Sequence, residues 1–101
     1  MSSEERIVTL HPVEGENGVS ISLQKYYLMR EAIVDSLAQS GQLTFQELRS
    51  AVEKRLAGGF EGFIGWYFTT IKLDLEARGI VVRVGSGSPQ RLQLSEQFGD
   101  G

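Results

Sequence analysis

Two hydrophobic periods alternate along this chain, and the points where one gives way to the other divide it into elements. Over residues 24–40 the apolar positions recur at helical spacing: Tyr26, Met29, Ile33, Val34 and Leu37 share one stripe, with Glu31 and Asp35 opposite. The stripe predicts a core-facing helix that stops at Gly41. Arg30 stands beside that stripe, and its aliphatic stem is expected to reach the rim of the core or its charge to meet a carboxylate. Leu43-Thr44 suits a very short strand. Thr44-Phe45-Gln46-Glu47 has the form of a capping box, in which residues one and four satisfy each other's free N–H groups. A second helix follows, with Phe45, Leu48, Val52 and Leu56 on one face and Gly58-Gly59 as its end.

A third helix is predicted over residues 62–78, where Ile64, Phe68, Ile71 and Leu75 form a core stripe with Tyr67 on its flank. Trp66, Leu73 and Ala77 make a second apolar cluster on the other side. A helix apolar on two faces needs two covers, and the candidates for the second are an N-terminal hairpin or another copy of the protein. Gly62, Gly65, Thr69, Lys72 and Glu76 then form the exposed stripe. Glycine inside a helix costs about 1 kcal/mol relative to alanine, so Gly65 predicts a close approach by some neighbouring group.

Strand periodicity takes over at both ends. Residues 80–84 (IVVRV) and 91–95 (RLQLS) read as two strands joined by a Gly/Ser-rich turn, with Gly79 in the left-handed position that closes the third helix. Residues 6–10 (RIVTL) and 19–23 (VSISL) read as a hairpin around the Asn17-Gly18 pair, with Val19, Ile21 and Leu23 on one face. A two-stranded hairpin is marginal alone, so it should lie on the helical body.

Composition bounds what these elements can do. With 101 residues and 41% hydrophobic content the chain fits one domain. Three parts are expected: the hairpin extension (1–23), the helical body with its C-terminal strands (24–95) and an acidic tail (96–101). There is no cysteine and only one histidine, His11, so neither a disulfide nor a thiolate metal site can form, and no metal or other cofactor is expected. The polar, acidic N-terminus is unlike a secretory signal, and the apolar cluster at 63–68 is too short to span a bilayer. A cytoplasmic protein without membrane contact is expected. Net charge is −3, yet residues 24–95 carry nine basic residues against seven acidic ones, a net +2, so the acidity lies in the extensions.

The segment LDLEARGIVVRV, the Gly/Ser-rich turn and RLQL resemble the recognition helix and wing of the winged helix-turn-helix superfamily. Trp66, the run Leu73-Asp74-Leu75-Glu76-Ala77 and the closing Pro89-Gln90-Arg91-Leu92 are similar to a family of small, functionally uncharacterised bacterial winged-helix-like proteins. The resemblance implies an α+β fold: a three-helix winged helix with a C-terminal β-hairpin wing, to which this chain adds the N-terminal β-hairpin. It also implies duplex DNA as partner. The third helix would enter the major groove, presenting Thr69 and Lys72, while Arg78, Arg83 and Arg91 would meet phosphates and residues 85–88 would adapt to a groove.

Two functions therefore stand open. One is a DNA-binding, transcription-regulator-type module with backbone contacts through the wing, although glycines occupy the early turns where base-reading side chains belong. The other is a protein-interaction or self-association module, with Trp66 and Leu73 as its surface and a homodimer or another protein as partner. Catalysis is not expected: there is no nucleophile elbow and no cysteine nucleophile. Asp74 and Glu76, two apart on a helix, point to different sides. The Gly58-Gly59 loop lacks the lysine and hydroxyl of a phosphate loop and reads as the turn between two helices.

Overall fold

The computed structural model describes residues 5–11, 18–85 and 90–96. In chain order the elements are β1 (Arg6–Val8), β2 (Ser20–Ser22), α1 (Leu23–Ser40), β3 (Leu43–Thr44), α2 (Phe45–Leu56), α3 (Ile64–Ala77), β4 (Val81–Val84) and β5 (Arg91–Leu94). Over the described residues the fold is α+β, with helices α1–α3 and two small antiparallel sheets. β1 pairs with β2, and β5, the last strand among the described residues, lies between β3 and β4 at the centre of its sheet.

Local chemistry sets most boundaries. Ser22 accepts a hydrogen bond from the Lys25 N–H and caps α1, so Leu23 opens the helix instead of completing the strand expected at 19–23. Gly41, at φ 85°, ends α1 and returns its N–H to the Leu37 carbonyl. The capping box at Thr44 and Glu47 is present in both directions. Gly62 lies at φ 119°, in the left-handed region, so α3 starts at Ile64, later than the expected 62. At the other end Gly79 (φ 78°) donates to the Glu76 carbonyl and Ile80 to that of Leu75, the paired bonds of a Schellman stop.

The core joins Tyr26, Met29, Ile33 and Leu37 of α1 to Leu48, Val52 and Leu56 of α2, Phe68, Ile71 and Leu75 of α3, and Val81 and Leu92 of the sheet. On α1 the buried stripe is rotated from the expected one. Ala32 and Ser36 are buried while Val34 is only half-buried. The Ser36 hydroxyl can be buried because it donates to the Ala32 carbonyl and accepts from Arg55 Nε.

The N-terminal hairpin packs on this body through Ile21, which is buried, and Ile7. At its mouth the backbone N–H of the buried Thr9 donates to the Val19 carbonyl, and the Thr9 hydroxyl accepts the Val19 N–H. Gly18 belongs there for want of space: a Cβ on it would sit 1.5 Å from the Thr9 carbonyl oxygen. Asn17, residues 86–88 of the expected groove contact and residues 97–101 of the acidic tail lie outside the described residues.

Candidate functional site

Strand alternation decides where the basic residues expected to meet phosphates go. On β4, Val81 and Arg83 point to one face and Val82 and Val84 to the other. Val81 pairs with Leu94, Arg83 with Leu92 and Val84 with Arg91, and directly paired residues project to the same side of a sheet. Val81 and Leu92 belong to the core, so Arg83 extends the inward row and turns back toward α3. Arg91, paired with Val84 and with Thr44 of β3, projects from the opposite face. The two arginines assigned together to one phosphate-binding wing are thus on different sides of it.

Arg83 meets Glu76 of α3: its Nε donates to Oε1 at 2.6 Å. The other oxygen of the same carboxylate takes the Lys72 ammonium at 2.5 Å. Lys72 was expected on an exposed stripe with Glu76, but their side chains are only 7% and 9% exposed. Phe45 at the start of α2 explains part of this burial, because its ring lies 5.6 Å from Lys72 Nζ and edge-on to Phe68. Burial works to raise the Glu76 pKa, and the bonds and charges of Arg83 and Lys72 outweigh it, leaving the carboxyl below its ordinary range. Arg83 is correspondingly held above its own, first by its bond to Glu76.

Two residues before Glu76, on the other side of α3, Asp74 is fully buried and gathers three parts of the chain. It accepts the Tyr26 hydroxyl of α1 at 2.5 Å, the Leu10 N–H of the hairpin at 2.7 Å and Arg78 Nε at 2.8 and 3.0 Å. Burial, then the bond and charge of Asp74, push the Tyr26 hydroxyl up to about 12. Arg78 is raised by its bond to Asp74, the largest cause. The expected phosphate contact Arg78 is therefore the counterion of a buried carboxylate. Both carboxylates went unread as hubs in the sequence, although Lys72–Glu76 and Asp74–Arg78 have the four-residue spacing of helical ion pairs.

The outer side of α3 is divided. Its C-terminal half is covered by the hairpin, with Thr9, Leu10, His11 and Val19 against Thr70 and Leu73 around a gap of about 80 Å³. Leu73 is half-buried there. The hairpin stops short of the N-terminal half, where Phe63 is 84% and Trp66 47% exposed. Trp66 packs edge-on against Tyr67, which in turn meets Phe60. Thr69 is exposed near this patch. The group close to Gly65 is the Arg49 guanidinium of α2, whose Nη2 lies 2.7 Å from the place a Cβ would take, while its Nε bonds to Glu53.

Among the described residues no group of histidine and carboxylate side chains is placed to hold a metal, and no helix is long and apolar enough to cross a membrane. The chain belongs to a family of unknown function, DUF6958, whose model matches residues 6–92, from β1 into β5. No curated protein and no solved structure matches it.

Proposed function

We propose that the chain is a winged-helix-type association module that meets a protein partner through the first half of α3. The order helix, short strand, helix, helix, two strands, with β5 between β3 and β4, supports the winged-helix reading. The observation that carries the function is the exposure of Phe63 at the N-cap of α3 and of Trp66 in its first turn, beyond the reach of the hairpin that covers Leu73. Aromatic side chains in the middle of a contact supply much of its free energy because each removes a large, rigid apolar surface from water. Arg49, lying over Gly65 beside them, adds the kind of cation that such contacts favour.

Duplex DNA, the partner implied by the superfamily resemblance, would need cations free to meet phosphates and displace counterions. Here Lys72 is buried against Glu76, Arg78 serves Asp74, Arg83 and Arg91 project from opposite faces of the wing, and the hairpin stands over the second half of the helix that would enter the groove. These engagements favour a protein partner, and a second copy of the chain is the first to test. Sedimentation velocity at rising concentration should show a dimer that Trp66→Ala disperses, with the wild-type indole shielded from quencher as the dimer forms. A monomer at every concentration, together with a salt-sensitive shift of duplex DNA that Arg91→Ala abolishes, would hand the function to the DNA reading.

A further inference from the structure

Where β4 and β5 come back against α3, a cleft of about 180 Å³ opens between Phe45, Lys72, Arg83, Gln90 and Leu92. Phe45 and Leu92 give it apolar walls; Lys72 and Arg83 bring two positive charges, and Glu76 returns one negative charge to them. Lys72 and Glu76 neutralise each other out of water, so the one unbalanced positive charge is carried by the half-exposed Arg83 at the cleft, where an anion can reach it.

The donors are in surplus as well. An ammonium has three N–H donors and a guanidinium five, whereas Glu76 takes one bond from Lys72 Nζ and one from Arg83 Nε, using one of its oxygens for each. The Arg83 side chain is 49% exposed, so its outer edge faces the open side of the cleft. Gln90, which lines the cleft, donates its side-chain amide to the Gly85 carbonyl. Drug-sized ligands occupy roughly 300–1,000 Å³, so this cleft suits one oxyanion on a small body.

We propose that the cleft binds a single oxyanion, a phosphate or carboxylate, as the headgroup of a small ligand. The anion takes the spare donors of Lys72 and Arg83, while a short apolar body lies against Phe45 and Leu92. The site is separate from the Phe63–Trp66 face and does not depend on the association reading.

The test titrates inorganic phosphate and, separately, benzoate into the full chain at chloride-matched ionic strength, followed by NMR of the Arg83 side chain and of Phe45 and Leu92. Saturable shifts confined to these residues are expected. Arg83→Gln should weaken the response at least tenfold, and Arg83→Lys should restore most of it, since the charge and a donor return. Tighter phosphate binding assigns the headgroup to phosphate; tighter benzoate binding assigns it to a carboxylate on a flat apolar body. Shifts that follow ionic strength alone, an unchanged response in a folded Arg83→Gln, or a response to duplex DNA but to neither small anion would overturn the proposal.

Discussion

Replacing Tyr26 by phenylalanine removes one hydroxyl from the buried centre at Asp74 and leaves the ring's volume in the core. The lost bond has a charged acceptor, and such bonds contribute about 1.5–3 kcal/mol. The raised ionisation of Tyr26 adds a pH dependence, with burial as its largest cause and the bond and charge of Asp74 behind it. Its hydroxyl moves from an ordinary 10.0 up to about 12 in the folded chain, a difference worth roughly 3 kcal/mol at 1.36 kcal/mol per pH unit. The unfolded chain releases this proton first, so the contribution is complete below pH 10.0 and is lost as pH rises through about 12. Urea unfolding of both proteins from neutral to strongly alkaline pH measures the gap between them, and subtraction removes the other tyrosines and the lysines. The expected gap is about 2–3 kcal/mol at neutral pH, which for a domain this size lowers Tm by roughly 10–20 °C, and it should close toward pH 12. A gap below about 0.5 kcal/mol, or one that stays constant through the alkaline range, would show that Tyr26 does not serve Asp74 as described.

Three further outcomes follow from the same geometry. Gly18→Ala places a Cβ against the Thr9 carbonyl, where backbone must move to admit it. The hairpin mouth should open at a cost of about 3 kcal/mol or more, read as faster amide exchange at Thr9 and Val19 while α2 stays protected. Glu76→Gln strips the carboxylate from a buried lysine and should destabilise by about 3 kcal/mol at neutral pH, the lower end for breaking a buried pair because Arg83 remains in water. Since the Glu76 pKa is lowered from 4.5 by folding, that loss should be complete above pH 4.5 and shrink as wild type is acidified below it; a gap independent of pH would refute the assignment. Gly65→Ala meets only the far end of the flexible Arg49 side chain, which can swing away. Calorimetry should find the variant unchanged or stabilised by up to about 1 kcal/mol from helix propensity, and a large loss would mean Arg49 is rigidly held.

The elements themselves were plain in the sequence because their signals are local. The capping box at Thr44, the glycine stops at Gly41 and Gly79 and the stripe of Phe68, Ile71 and Leu75 each depend on residues within a turn or two, and each stands where expected. The misplacements have physical reasons. Ser22 serves the helix that follows it, which draws Leu23 out of the strand, and a self-satisfied Ser36 displaces Val34 from the buried face.

Function was far less legible. A basic residue reads the same in sequence whether it faces solvent or a carboxylate, and Lys72, Arg78 and Arg83 looked available until their partners were in place. Lys72–Glu76 and Asp74–Arg78 at least share a helix, so their spacing held a clue. Nothing local brings Arg83 to Glu76, or Leu10 and Tyr26 to Asp74, because those meetings need the whole sheet and hairpin folded against α3.

The sequence by itself determined three helices, the cap at Thr44, the stops at Gly41 and Gly79, and most of the hydrophobic faces that drive the helices together, since periodicity and backbone chemistry act over a few residues. Tertiary structure alone decided that Arg83 turns inward and Arg91 outward, that Leu73 is covered while Phe63 and Trp66 are not, and that one carboxylate serves two cations beside a cleft. Charge neutralisation and burial depend on distances between residues remote in sequence, which exist only once the chain has closed on itself.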